Sequence, residues 1–140
     1  MELVVDSNVA AAAVIRSGVT RNLVFNSRLT LFAPGLIEPE MLEHRAEFVQ
    51  KSGLSDDAFD AAVRQVFSRI TLLRLEEFSE FEAAARKISS DPDDWPFIAA
   101  AMSEGCALWS NDRQLKQQAS VPVFSTEELL VKLRYAEDIK

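Results

Sequence analysis

The chain alternates short, continuous apolar runs with longer segments whose apolar positions recur every three or four residues. Runs of the first kind read as strands covered on both faces, and segments of the second kind as helices with one inward face. Glu2-Leu3-Val4-Val5-Asp6 opens the series as a short strand. Ser7 stands where it can cap a helix through Ile15. Thr20 starts a second helix, to about Arg28, and Thr30-Leu31-Phe32-Ala33 is the second strand. A helix follows Pro34-Gly35 and runs to about Lys51, with Gly53 just beyond it. Ser55 opens another, to about Arg69, its early Asp56 and Asp57 favoured by the helix dipole. Ile70-Thr71-Leu72-Leu73 is the third strand. Ser79 and Glu82 have the spacing of a capping box for a helix to Ser89. Asp93 and Asp94 open a helix that closes at Gly105, and Cys106 to Trp109 is the fourth strand. Asn111 starts a short helix and Val121 to Phe124 is the fifth strand. Ser125 with Glu128 is a second capping box, leading the final helix.

Strands separated by whole helices pair in parallel, because a parallel crossover needs a dozen or more residues. The expected fold is therefore α/β: a three-layer α/β/α sandwich around a central parallel sheet of about five strands. At 140 residues the chain has the length of one domain, so a single domain over 1–140 is expected. No Gly-rich or Ser-rich linker or internal repeat divides it.

Composition narrows the function classes. The chain is 48% apolar and 26% charged, the balance of a globular protein. A single cysteine, Cys106, excludes an intrachain disulfide and a thiolate zinc cage, and fits a reducing cytoplasm. The apolar stretch Val9 to Ile15 is too short to span a membrane, and Met1-Glu2 lacks a signal peptide's positive flank. The net charge of −7 argues against a passive coat for nucleic acid, since such coats are basic. The acid excess reads either as a solvated surface or as carboxylates converging on a cation, and only positions separate the two.

Ligands of doubly wound sheets bind outside the C-terminal ends of the strands. Asp6 directly follows the first strand, and Asp112 comes three residues after Trp109. Asp91, Asp93 and Asp94 cluster before the helix leading into the fourth strand, and Glu38, Glu40 and Glu43 fall early in the helix after the second. Four acidic segments thus meet at one sheet edge. Crowded carboxylates repel and their pKa values rise unless a cation neutralises them. Hard oxygen donors suit Mg²⁺ or Mn²⁺. Taken singly, each acid has a structural alternative, since Asp6, Asp93 and Asp94 are all plausible helix caps.

Local spacing sorts some of these. Asp94, Ile98 and Ala101 share one helical face, in line with an apolar stripe, whereas Asp91 and Asp93 lie off it. Glu40, His44 and Glu47 line one helical edge, with Met41, Leu42, Phe48 and Val49 on the buried side. Spacing does not choose between Glu38, Glu40 and Glu43.

Three segments resemble the motifs of the PIN domain family: Val4-Val5-Asp6-Ser7-Asn8, Asp91-Pro92-Asp93-Asp94-Trp95-Pro96-Phe97-Ile98-Ala99-Ala100-Ala101, and Trp109-Ser110-Asn111-Asp112. The family comprises metal-dependent ribonucleases, VapC-type toxins of toxin–antitoxin pairs among them. The resemblance implies metal ligands at Asp6, Asp94 and Asp112, and places Glu40 at the second acidic position, with Asp93 and Glu43 as the competing assignments. Ser110 matches a small hydroxyl that hydrogen-bonds near the first Asp, and Ser7 and Asn8 match the polar pair after it; Asp91 and Asp93 are expected to support the ligands. The implied chemistry is hydrolysis of RNA by a metal-activated water, leaving a 3′-hydroxyl and a 5′-phosphate.

Arg16, Arg113 and Lys116, with Arg21, are candidates for a basic rim that meets the substrate. Trp95, Phe97 and Trp109 are candidates for base stacking or for core. Val9 to Ile15 with Leu23, Val24 and Phe25 reads as core, as a homodimer face or as a seat for an antitoxin. A homodimer is expected. The alternative function is a non-catalytic PIN-like module binding RNA or protein. A Rossmann or P-loop site fails for lack of a Gly-rich turn. A phosphatase of the haloacid-dehalogenase type would need Asp where Asn8 stands, and a receiver domain needs an acidic pair where Asp6 stands alone. A Toprim-like reading of Asp91-Pro92-Asp93 puts that motif at a helix start rather than after a strand.

Overall fold

The computed structural model describes residues 1–139, with side chains through Arg134. Five strands, β1 (Glu2–Val5), β2 (Thr30–Pro34), β3 (Ile70–Leu73), β4 (Ala107–Trp109) and β5 (Val123–Phe124), form one sheet in the order β3-β2-β1-β4-β5, every pair parallel. The central strand has no polar face. Leu3, Val4 and Val5 are fully buried, because helices cover the sheet on both sides. The fold is thus the expected α/β/α sandwich.

Helix α1 (Ser7–Ile15) packs with α2 (Val19–Val24), α3 (Ile37–Glu43), α4 (Arg45–Ser52) and α5 (Asp56–Phe67). Helix α8 (Trp95–Glu104) lies on β1, β2 and β4 and carries α6 (Leu75–Phe78) and α7 (Glu82–Ile88). The last helix, α9 (Thr126–Ile139), packs on β5. The Val9–Ile15 stretch is core rather than an open clamp: Val9, Ala10, Ala11, Ala13, Val14, Leu23 and Val24 are buried within the chain, and Phe25 remains exposed. Among the described residues no helix is long and apolar enough to cross a membrane.

Several local expectations are corrected. Asp6, not Ser7, caps α1, accepting from the Val9 amide at 2.8 Å. Helix α2 stops at Val24, because Asn26 Oδ1 takes the Arg28 amide at 2.9 Å in a turn that competes with the helix. The single helix expected to Lys51 breaks at His44. There Arg45 forks onto Asp60 (3.1 and 3.0 Å) and reaches Asp56 (3.2 Å), which ties α4 to α5 and overrides the local period. Leu42 consequently faces solvent. The Ser79 box does not form. Glu77 instead accepts from the Arg74 amide (2.7 Å), starting the short α6, and Ser79 falls in a 3₁₀ turn over Ser79–Phe81. Asn111 starts no helix; it caps α9, accepting from the Thr126 amide at 2.9 Å, and the turn that follows is a 3₁₀ segment at Leu115–Gln117. The Ser125–Glu128 box forms in both directions, at 3.1 and 3.0 Å.

Candidate metal centre

The sheet order reverses direction between β1 and β4, and the crevice outside that switch point is where the acids gather. The register explains the first contact. Val5 pairs with Trp109, so Asp6 and Ser110 lie side by side one step past the ends of their strands. The Asp6 amide donates to Trp109 O at 3.2 Å, and the buried Ser110 hydroxyl donates to Asp6 Oδ2. The same hydroxyl accepts from the Asp112 amide at 3.0 Å, so one serine fixes two acidic segments. Asp6 is itself buried, with both carboxylate oxygens hydrogen-bonded. Its pKa is raised: burial dominates, the Ser110 and Val9 hydrogen bonds oppose it, and the Asp112 charge adds to it.

Glu40 enters from α3. Its Oε2 accepts from the Ser7 hydroxyl at 2.7 Å, which pins the second acidic segment to the start of α1. Asp94 precedes α8, one turn before the fully buried Ile98, so the helix face that grips the sheet also holds this carboxyl in the cleft. Its Oδ2 is shut off from solvent and has no hydrogen-bond partner among the described residues. Burial pushes its pKa up to about 6, with further repulsion from Asp91, Asp112, Asp6 and Asp93. Exposed Asp91 shapes the approach to Asp94, its Oδ1 accepting from the Asp93 amide (2.9 Å) and its carbonyl from the Asp94 amide (3.0 Å).

The resulting cleft has a volume of about 480 Å³, and Asp6, Glu40, Glu43, Asp93, Asp94 and Asp112 all border it. Ser7 and Asn8 complete its lip, and Trp95 and Phe97 contribute apolar wall. Of the competing acids, Glu40 is fixed by Ser7 while Glu43 is exposed, and Asp94 is enclosed while Asp93 is exposed. Glu38 does not border the cleft. Among the described residues no group of three or more His, Cys, Asp or Glu side chains is placed to hold a metal ion as it stands. Their oxygens are engaged elsewhere: Asp6 with Val9 and Ser110, Glu40 with Ser7, and Asp112 Oδ1 with the Gln114 amide at 2.9 Å. Each ionised carboxylate keeps spare lone pairs, and Asp94 Oδ2 is an orphan. An all-oxygen donor set of this kind fits a hard divalent cation.

The basic residues stand elsewhere. Arg16 sits past the C-terminal end of α1, about 15 Å along the helix from Asp6 at 1.5 Å per residue. Arg21 serves that helix end, donating to Ala13 O (2.7 Å) and Val14 O (2.8 Å). Lys116 is ion-paired with Glu128, and Arg113 is exposed without bordering the cleft. Phe97 and Trp109 are core, whereas Trp95 is half-buried at the cleft wall, under the Arg86 guanidinium (4.9 Å) and beside Phe78. His44, read from sequence only as part of a helical edge, takes a distinct place. The break between α3 and α4 sets it on the wall of the acidic cleft and of a second cavity beside it.

A doubly wound sheet with carboxylates at its switch point defines a class of acidic-cleft α/β proteins. The family model described as PIN domain matches residues 4–134, and the chain belongs to that family, whose members are in general divalent-metal-dependent nucleases. No curated protein sequence matches the chain. Among solved structures, it is similar to a chain in the crystal structure of VapBC2 from Rickettsia felis bound to a DNA fragment from their promoter. The TM-score is 0.68 at 13% identity, covering 89% of this chain and 98% of that one, a likeness of fold.

Proposed function

We propose that residues 1–140 form one PIN domain acting as a Mg²⁺- or Mn²⁺-dependent endoribonuclease, with Asp6, Glu40, Asp94 and Asp112 holding the ion. The observation that carries this reading is the enclosed, unpartnered Oδ2 of Asp94 in a cleft shared with three other fixed carboxylates. When bound, such an ion lowers the pKa of a water and offsets charge developing on a phosphate. The chain's own residues do the positioning. Ser110 orients Asp6 and ties it to the Asp112 backbone, Ser7 orients Glu40, and the Asp91 turn delivers Asp94 to the start of α8. Trp95 and Phe97 give the cleft one dry wall, against which carboxylate–cation attraction is less screened.

The physiological reading is the toxin of a type II toxin–antitoxin pair in the cytoplasm, with RNA as substrate, an antitoxin as protein partner and a homodimer as the assembly. The likeness to a chain of the VapBC2 complex supports the antitoxin partner.

The test is incubation of a panel of 5′-labelled RNAs with the purified protein, with and without Mn²⁺, beside Asp6→Asn. Cleavage is expected with Mn²⁺ alone, and a loss of at least about 100-fold in the variant, since even groups that merely orient metal ligands are worth 10–100-fold. A variant as active as wild type would contradict the proposal and favour a binding module.

A further inference from the structure

The acidic cleft does not end at His44. A cavity of about 310 Å³ adjoins it, and Ser7, Asn8, Glu40 and His44 belong to both walls. Its floor is apolar, made by Ala10, Ala11, Met41 and Phe48. The His44 and Phe48 rings lie 5.7 Å apart between centroids, tilted by 36°, and the His44 side chain is half exposed. On the opposite lip, the Asn8 side chain makes no hydrogen bond among the described residues. Lys51 closes the far end. It also borders the next cavity along α1, of about 490 Å³, together with Arg16 and Arg21. Over the length of one helix the walls thus pass from acidic, through apolar and aromatic, to basic, with Glu47 on the rim between His44 and Lys51 and ion-paired to the latter.

That sequence of surfaces suits one kind of ligand. A carboxylate pit takes a phosphate only through a cation, an apolar floor beside an exposed imidazole takes a flat heterocycle, and an exposed lysine takes a further phosphate directly. The volume is at the low end of the ~300–1,000 Å³ range of small-molecule sites, which suits one base rather than a helix. We infer that this cavity is the seat of the nucleobase next to the scissile phosphate of a single-stranded RNA. In it the base stacks on His44, Asn8 reads its edge, and a further phosphate along the strand meets Lys51. Asn8 carries both a donor and an acceptor in its amide, so it can discriminate between base edges. The Lys51–Glu47 pair (3.0 Å) does not compete strongly, since it is an exposed pair that a phosphate can displace. The inference rests on the ribonuclease reading above, but it is tested through binding rather than turnover.

The experiment measures anisotropy of a 5′-labelled, eight-nucleotide single-stranded RNA with the otherwise unaltered protein, with Ca²⁺ in place of Mn²⁺ so that oxygen ligands still hold a cation, and gel analysis of the same samples checks that the RNA stays intact. It then adds His44→Ala, His44→Phe or Lys51→Ala to that background. Loss of one stacked base weakens binding at least about fivefold, so His44→Ala is expected to raise Kd by that factor or more and His44→Phe to restore it. Lys51→Ala is expected to weaken binding and to reduce the slope of log K against log salt by about one. Both residues are exposed, so unchanged circular dichroism is expected throughout. Equal affinity in all four proteins overturns the inference and leaves the groove to a protein segment. Wild-type protein that cuts no RNA while the His44 effect persists would remove the hydrolytic reading and keep the base seat.

Discussion

Asp94 carries the tension of the site. Its carboxyl is held where burial and four neighbouring acids oppose ionisation, which moves its pKa to about 6. An acid whose pKa is higher in the folded than in the unfolded chain destabilises the fold once it ionises. That cost is absent below the unfolded value near 4 and fully present above about 6. In chelator at pH 7.5, Asp94→Asn is therefore expected to raise the thermal midpoint, by about 3 °C for about 1 kcal/mol recovered, a figure discounted for solvent screening of this part-exposed residue. The gain should shrink as the pH falls through 6 toward 4. Thermal melts of the two proteins across that range check it, and a variant less stable than wild type at pH 7.5 would refute it. Cys106 contrasts with Asp94: burial raises its thiol to about 11, so it stays protonated at neutral pH, and it borders a cavity other than the acidic cleft.

At the scale of the element, each end of each helix is decided by which partner wins a few backbone groups. Gly105 closes α8 in the left-handed region at φ 63°, with open space where a Cβ would stand. Gly105→Ala should thus cost about 1 kcal/mol, all of it backbone, read as a lower denaturant midpoint at unchanged slope. An unchanged midpoint would contradict that account. Where the signal was local, the sequence was a good guide: strand runs, the Gly105 stop and the Ser125–Glu128 box all appear in the structure. Where the deciding partner lay far along the chain, it was not. Nothing near Arg45 announces that Asp60 will capture it and break the helix at His44. Nothing near Ser7 announces that Glu40, thirty-three residues on, will draw its hydroxyl from the capping role that Asp6 then fills. Arg16 illustrates the same limit, since a residue that follows a strand closely in sequence stands a whole helix length from the strand's end.

For the molecule as a whole, parallel order does the assembling. A sheet that runs β3-β2-β1-β4-β5 delivers Asp6 and Asp112 to adjacent strand ends, while the crossovers bring Glu40 and Asp94 over the same edge from α3 and α8. That much was legible, because strand-end acids of parallel strands have nowhere else to go. Which acid of each crowded cluster turns inward depended on packing: Ile98 against the sheet for Asp94, and the Ser7 hydroxyl for Glu40. On the proposed reading, in which four carboxylates from distant parts of the chain hold one ion, ion binding and folding are one linked equilibrium and the ion stabilises the fold by mass action. Calorimetric titration of chelator-stripped protein with Mn²⁺ tests this directly. Saturable heat is expected for wild type and none for Asp6→Asn under the same conditions. Equal heats from the two proteins, or none from wild type, would contradict it.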